Sequence, residues 1–426
     1  RAMRRATLIT AAAAGAFLAL SLASPALDVY LRAEAFTKTM PDGAVVTFWG
    51  YAQDSAFGAL DGTLQVPGAR ITVPPGDPTL TIHLDNNLPA ATSVVVLGQK
   101  GNFTPTRFAP GDPYYPDRIR SLTTETAAGN AADSVYTFGP LEPGTYLYLS
   151  GTHQAVQVQM GLYGPMTQDA LAGNVAYLGH LPYDLDAVLL FSEVDSALHQ
   201  AVAAGNYGPP AAPGRVTSPI DYHPDYFMIN GQPFAPLYPE RSELAGGVSQ
   251  RLLLRVLNAG LETRVPLIQG AYWDVVAQDG NPLPHTRTMY SYELVALRTF
   301  DAFVTTSADP SARLPVYDRR LGLFNGMQTP GGGMAFVNPA GCGAAPAAVG
   351  PTLMESQVPA GIHFSWADVP GATTYRLYQD TVASGTFSAV AGVSSSGVAG
   401  LDLPMPAAPL VFFRIAAASC GGESPK

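Results

Sequence analysis

The chain has little charge and no basic cluster. Charged residues make up only 13% of its 426 residues, and the formal net charge is -10, whereas roughly a quarter of residues are charged in an average globular protein. Because nucleic-acid binding requires a basic patch that neutralises phosphates, we expect no nucleic-acid partner. After residue 26 no apolar run approaches the roughly 20 residues of a membrane span, so we expect no membrane association of the mature chain.

Glycine and proline, in contrast, are abundant. The sequence contains 43 glycines and 38 prolines, and 47% of its residues are hydrophobic. This composition is typical of a turn-rich, all-β protein. A chain of this length exceeds a single compact core, and we expect three domains.

The first 26 residues have the pattern of a secretory signal peptide. Arg4 and Arg5 precede an uncharged, largely apolar run over residues 6–20, and small residues follow. This order predicts cleavage after Ala23 or Ala26. We therefore expect a secreted, periplasmic or cell-surface protein, whose partners would be extracellular or cell-surface components.

Two β domains are predicted from an internal repeat. Apolar residues alternate with polar ones at Leu80, Ile82 and Leu84, as in a half-buried strand. A set of positions recurs without a gap at a separation of 172 residues: Leu80, Ile82, Leu84, Asn86 and Gly98 match Leu252, Leu254, Val256, Asn258 and Gly270. We place domain 1 at residues 36–166 and domain 2 at residues 184–338. The one strong helical signal is capped by Asp195 or Ser196, runs through Leu198, Val202 and Ala203 and stops at Gly205, and it predicts a connector helix.

A third β unit is predicted after an Ala/Pro/Gly-rich linker over residues 339–349. Short strands with an early Trp366 and later aromatic residues suit an immunoglobulin-like sandwich over residues 350–426. The pattern of Trp366, Tyr375 and Phe413 resembles a fibronectin type III domain. We expect this domain to be incomplete, because its last strand would begin where the sequence stops at Lys426.

Several segments of the first two domains resemble the multicopper oxidase family. Residues 143–148 read PGTYLY, residues 149–153 read LSGTH and residues 161–165 read GLYGP, similar to the family's PGTYWYHSH and GLYGPL. Residues 92–98, TSVVVLG, are similar to TSIHWHG. The resemblance covers roughly Val45 to Asn338 and implies two tandem cupredoxin-like Greek-key β-sandwiches.

The resemblance also shows which copper ligands are missing. In the family, each of these motifs presents a His-x-His pair, because alternation along a strand puts both imidazoles on one face. The matching positions here are Val95 and Leu97, then Leu149 and Gly151, and none is a histidine. In the second copy the equivalents are Leu267 and Gln269. Only His153, two residues beyond the motif, is a candidate shifted metal ligand.

The histidine count agrees with this interpretation. A complete oxidase of the family needs about ten histidines and a cysteine, whereas the sequence has seven histidines. We expect six of them to be solvated: His83, His180, His199, His223, His285 and His363. No pair of catalytic acid and base, phosphate loop or nucleophile elbow is present, so we assign no catalytic residue and no cofactor other than copper, if any.

The two cysteines are predicted to form a disulfide. Cys342 lies in the linker and Cys420 at the end of a strand. An exported protein with two cysteines commonly joins them, and the two ends of a fibronectin-like sandwich that carry them lie at the same pole.

The sequence leaves three functional interpretations. The first is a secreted relative of the oxidases with degenerate copper sites, which uses its scaffold for binding or structure, with Val95, Leu97 and Leu149 forming an apolar plug. The second is the N-terminal part of an active copper-dependent oxidase, whose remaining ligands lie in a further domain. The third is a carbohydrate-binding or adhesion module, which the fold alone would permit.

Overall fold

A computed structural model describes residues 27–213, 215–341, 344–395, 397–398, 400–408 and 410–426. The predicted signal peptide over residues 1–26 and Cys342 lie outside these residues, so both assignments stay predictions. Within the described residues, strands dominate and the helices are short. None of these helices has the length and apolar character needed to cross a bilayer.

Domain 1 is a sandwich of two four-stranded sheets, with orders β2-β1-β4-β8 and β3-β10-β9-β5, beside a small ribbon of β6 and β7. Its elements are β1 (Leu27–Thr39), β2 (Val45–Asp54), β3 (Ile71–Val73), β4 (Leu80–Asn86), β5 (Val95–Val96), β6 (Thr106–Arg107), β7 (Ile119–Ser121), β8 (Asn130–Phe138), β9 (Gly144–Leu149), α1 (Gln154–Gln157) and β10 (Tyr163–Gln168). Strand β1 starts before the predicted boundary at residue 36, since Val29, Leu31 and Ala33 already alternate into the core.

Domain 2 repeats this plan with a larger sheet. The sheet orders are β12-β11-β14-β18-β16-β17 and β13-β20-β19-β15. Its elements are β11 (Leu185–Val194), α2 (Ser196–Ala203), β12 (Tyr226–Ile229), a short 3₁₀ turn (Pro239–Ser242), β13 (Glu243–Ala245), β14 (Arg251–Asn258), β15 (Pro266–Ile268), β16 (Trp273–Gln278), β17 (Asn281–Met289), β18 (Thr299–Thr305), β19 (Leu314–Asp318) and β20 (Met334–Asn338).

The repeat seen in the sequence is present in the structure. Leu80 begins β4, which runs parallel to β1, and Leu252 lies in β14, which runs parallel to β11. Asn86 and Asn258 end these strands and are fully buried. In each, the side-chain amide donates to the carbonyl four residues later, at 3.0 and 2.8 Å, and the side-chain oxygen accepts from the N–H two residues later. The same asparagine therefore turns the chain out of the same strand in both copies.

Helix α2 forms where predicted but bridges the two domains. Asp195 caps it by accepting a hydrogen bond from the Leu198 N–H at 3.1 Å. The helix follows β11 inside domain 2 and lies against β2 of domain 1. The expectation that His199 is solvated is wrong, because its ring is buried and its nitrogens lie 2.7 Å from the Thr47 carbonyl and 2.9 Å from the Gln159 carbonyl.

The C-terminal unit contains two antiparallel sheets, β21-β22-β25 and β24-β23-β26-β27. Its strands are β21 (Met354–Val358), β22 (Gly361–Ser365), β23 (Thr374–Asp380), β24 (Ala389–Ser395), β25 (Gly400–Leu403), β26 (Phe412–Ser419) and β27 (Gly422–Glu423). Trp366 and Tyr375 meet in its core with ring centroids 5.4 Å apart. We expected no strand after β26, but the two-residue β27 pairs with it. The fibronectin type III interpretation stays a prediction.

Candidate functional site

Two of the four positions matched to copper ligands face each other across a strand pair. Strands β5 and β9 are antiparallel, and Val95 lies opposite Leu149. Both side chains are almost fully buried, whereas Leu97 just beyond β5 is half-buried. The Leu97 N–H donates to the Leu147 carbonyl at 2.9 Å, which extends the pairing beyond β5. Backbone pairing thus brings together the three residues expected to form an apolar plug.

These residues belong to what we call the interdomain apolar cluster. Its buried members from domain 1 are Met40, Val46, Phe48, Val66, Val95, Leu147, Leu149, Val158 and Tyr163, and those from domain 2 are Leu190, Val194, Tyr226, Met228, Leu257 and Ala259. Leu97 packs against the cluster. The positions at which the family resemblance puts metal ligands therefore contribute to the packing of domain 1 against domain 2.

Gly151, the fourth position, has no room for a side chain. A Cβ atom built on it would lie 2.9 Å from both Ser93 Oγ and Val95 Cγ1. Ser93 Oγ is held 2.9 Å from Ser121 Oγ and 3.0 Å from Thr152 Oγ1. Because carbon atoms do not approach neighbours this closely, an imidazole at residue 151 would require the surrounding strands to move.

The polar groups beside the plug are neutral. Thr92 and Ser150 donate to Gln157 Oε1 at 2.7 and 2.6 Å, and Gln157 Nε2 donates to the Ala91 carbonyl at 2.8 Å. Copper sites are built from imidazole, thiolate and thioether ligands, and this network offers only hydroxyls and amides that are already hydrogen-bonded. The residues at the matched positions and around them do not fit a copper ion.

His153 belongs to no group of three or more metal-binding side chains among the described residues. It is exposed, has φ 40° and precedes α1. Its ring contacts Phe108 edge-on at 5.4 Å, and the Arg120 guanidinium lies over the same phenyl ring. Partial desolvation lowers the pKa of His153; the Glu125 carboxylate opposes this shift and Arg120 adds to it. In the described part of the chain, no group of three or more His, Cys, Asp or Glu side chains is arranged to hold a metal ion.

The equivalent positions of domain 2 are also without metal ligands. Leu267 is buried in β15 opposite Tyr317 of β19. Gln269 is exposed, and its N–H donates to the Pro315 carbonyl at 2.9 Å. The internal repeat therefore presents an apolar residue at the same strand position in both copies, at Val95 and Leu267.

Cys420 lies beside the linker. Its sulfur is 3.5 Å from the carbonyl oxygen of Gly341, the residue before Cys342. Because Cys342 is outside the described residues, the Cys342–Cys420 disulfide stays a prediction.

A second group of residues, which sequence reasoning missed, joins the domains through charge. In what we call the interdomain ionic cluster, the fully buried Arg255 of β14 contacts Asp186 at 2.8 Å and Asp169 at 2.5 Å. Thr145 of β9 accepts from Arg255 and donates to Asp301 of β18 at 2.9 Å. The signal available in the sequence was a charged residue in the apolar interior of a strand, Arg255 in β14 and Asp301 in β18, because a buried charge requires a partner.

The charged groups of the interdomain ionic cluster shift one another's pKa values. Burial raises the pKa of Asp301, which the nearby Arg255 charge opposes. Burial alone would lower the pKa of Arg255, but the carboxylates of Asp301, Asp186 and Asp169 raise it above its usual value. Arg255 therefore remains charged at any physiological pH. Tyr177 donates a further hydrogen bond to Asp301.

Comparison with solved structures identifies the fold of about three quarters of the chain. The chain is similar to the multicopper oxidase mgLAC and to a blue copper oxidase from Nitrosomonas europaea, each with TM-score 0.53, 19% identity, and 73% of this chain and 85% of the other covered. It is also similar to a copper nitrite reductase from Nitrosomonas europaea, with TM-score 0.53, 18% identity, and 74% and 93% covered. The chain has a cupredoxin-like fold.

At these identities the similarity shows the fold alone. The sequence matches no protein-family model and no curated protein.

The expected all-β class with tandem cupredoxin-like sandwiches is thus confirmed. The copper proteins above share the scaffold, whereas this chain has a packed apolar cluster at the positions that its sequence motifs match to ligands.

Proposed function

We propose that this protein uses a cupredoxin-like scaffold for binding or for a structural role, and that it is not a copper oxidase. The observation that carries the proposal is the chemistry of the four matched positions. Three are apolar side chains packed in the interdomain apolar cluster, and the fourth, Gly151, has no space for an imidazole. Full burial of an apolar side chain such as Val95 or Leu149 contributes roughly 1.5 to 3 kcal/mol to folding, so packing can stabilise this region without a metal.

Copper loading tests the proposal. The purified protein is incubated with Cu(II) and with Cu(I), desalted and analysed for metal content, visible absorption and phenol oxidation. We expect no stoichiometric copper, no thiolate-to-copper charge-transfer band and no oxidation. A chain that retains tightly bound copper and oxidises phenols would overturn the proposal.

We also propose that the protein is exported and carries the Cys342–Cys420 disulfide. The charge and apolar pattern of residues 1–26 supports export, and the 3.5 Å contact of Cys420 with the Gly341 carbonyl supports the disulfide. We expect that thiol reagents label neither cysteine in the native secreted protein and label both after reduction. Stoichiometric labelling before reduction would contradict the disulfide.

A further inference from the structure

Domains 1 and 2 border an open cleft at the edge of the interdomain apolar cluster, with which it shares Val66. It has a volume of about 440 Å³, within the range typical of small-molecule sites. Domain 1 contributes β1, the segment of residues 64–70 and Pro165, and domain 2 contributes Val188 and the turn after β12. We call it the interdomain cleft. Junctions between domains are places where ligand sites commonly form.

Slightly more than half of the residues that line the interdomain cleft have apolar side chains. They include Phe36, Leu64, Val66, Pro67, Pro165 and Val188. Such a lining favours a ligand with an apolar body, because its transfer from water removes apolar surface from solvent on both sides.

Lys38 is the unusual charge in the cleft. Its ammonium group donates to the Gly231 carbonyl of domain 2, and burial together with the charge of Arg241 lowers its pKa to about 8. Most of the lysine is still protonated at neutral pH. No ion pair found among the described residues includes Lys38, so its charge has no carboxylate beside it.

The buried arginines differ from Lys38 in having carboxylate partners. Each contacts a carboxylate directly: Arg32 with Asp54, Arg255 with Asp186, Arg264 with Glu193, and Arg376 with Glu240. This protein therefore compensates its other desolvated cations with an internal anion. Lys38 faces a cleft that is open to an anion from solution.

Arg70 supplies a second donor on the same cleft. Its Nε donates to Thr167 Oγ1 at 2.9 Å, one terminal nitrogen pairs with Asp186, and its side chain is 28% exposed. No hydrogen bond of the other terminal nitrogen, Nη1, is found within the described residues. Arg70 shares Asp186 with Arg255. Of the two cations that line the cleft, Lys38 is therefore the one without a carboxylate contact among the described residues, and its single charge suits a monoanion.

We infer that the interdomain cleft binds a small organic carboxylate with an apolar body, whose carboxylate accepts hydrogen bonds from Lys38 and Arg70. The amides of Gln65 and Gln232 are exposed and line the same cleft. This inference deepens the proposed binding role, on which it rests, by giving that role a site and a ligand class. It requires no metal.

Calorimetric titration with hydrocinnamate tests the site, with the uncharged hydrocinnamyl alcohol as ligand control. We expect saturable binding of the acid to the whole chain and binding of the alcohol weaker by about tenfold or more, since the alcohol cannot accept charge-assisted hydrogen bonds, and tenfold corresponds to about 1.4 kcal/mol. Lys38→Gln should weaken binding of the acid by a similar factor. The matched variant Lys100→Gln, on the surface outside the cleft, should bind like the wild type.

A pH series on the wild type provides a test that does not depend on a variant's folding. Lys38 loses its charge above pH 8, whereas Asp186, whose pKa lies below its usual value, and the carboxylate of the ligand stay ionised. Affinity for hydrocinnamate should therefore fall as pH rises from 8 to 10, and affinity for the alcohol should not.

The outcomes separate this inference from the proposed function. Absence of saturable binding at millimolar hydrocinnamate, equal affinity for acid and alcohol, or unchanged affinity in a folded Lys38→Gln variant would overturn the inference, yet leave the copper result untouched. Copper binding with oxidase activity would overturn the proposed function, whatever the cleft binds.

Discussion

Domains 1 and 2 are joined by two regions of opposite chemistry. Around Val95 and Leu149 the contact is apolar, and around Arg255 and Asp301 it is charged and hydrogen-bonded. An apolar contact gains free energy roughly in proportion to the area removed from water and tolerates small rearrangements. A buried ionic cluster contributes little net stability against an apolar replacement, but it is strongly destabilised when one partner is removed. The apolar region therefore supplies stability, and the ionic region restricts how the domains can dock.

Of the changes considered, removal of Arg255 should lower the free energy of unfolding the most. Arg255→Met leaves Asp169 and Asp301 without their buried cation and leaves Asp186 with Arg70 alone, and we expect a loss of about 3 to 5 kcal/mol in the free energy of unfolding. Urea denaturation followed by tryptophan fluorescence measures this loss. The matched control is Arg298→Met, because Arg298 is 48% exposed in its pair with Asp279, and it should cost less than about 1 kcal/mol. Equal losses in the two variants would show that the ionic cluster has no special role.

Truncation of the apolar region should have the next largest effect. Leu149→Ala removes three buried carbon atoms from the interdomain apolar cluster, and we expect a loss of about 2 to 5 kcal/mol, depending on how far the cavity collapses. Leu178→Ala is the control, since Leu178 is 68% exposed and should change stability by about 0.5 kcal/mol or less. If Leu149→Ala lowered the free energy of unfolding no more than this control does, the apolar region would not be a packed interface.

A single added methyl group tests how tightly the apolar region fits its hydroxyl neighbours. Gly151→Ala places a Cβ 2.9 Å from Ser93 Oγ and Val95 Cγ1, and we expect a loss of about 1 to 3 kcal/mol from overpacking. In Gly111→Ala the new atom meets nothing within 4 Å, so its stability should stay within about 0.5 kcal/mol of the wild type. A neutral or stabilising Gly151→Ala would remove the steric argument against a side chain at this position.

Much of the scaffold could be predicted because its signals are local. Alternation at Leu80, Ile82 and Leu84 predicts a half-buried strand, and the constant spacing to Leu252 predicts a second copy of the domain. The cap of α2 at Asp195 was also readable, because capping depends on residues three positions apart. The sequence alone also shows that the matched positions Val95 and Leu149 are not histidines.

Other features depend on residues that are distant in sequence. His199 was expected to be solvated because it lies on the connector helix, but docking of α2 on domain 1 buries it against Thr47. The start of β1 at Leu27 was obscured by its closeness to the apolar N-terminal segment.

What the sequence determined by itself was the β class, the tandem repeat and the loss of imidazole at the matched positions, because each follows from residue type and short-range spacing. Only the tertiary structure decided that these positions pack against domain 2, that Gly151 has no space for a side chain, and that Lys38 faces an interdomain cleft. The physical reason is that these contacts join separate strands: Thr145 and Asp301 are 156 residues apart, yet their side chains lie 2.9 Å from each other once the domains dock.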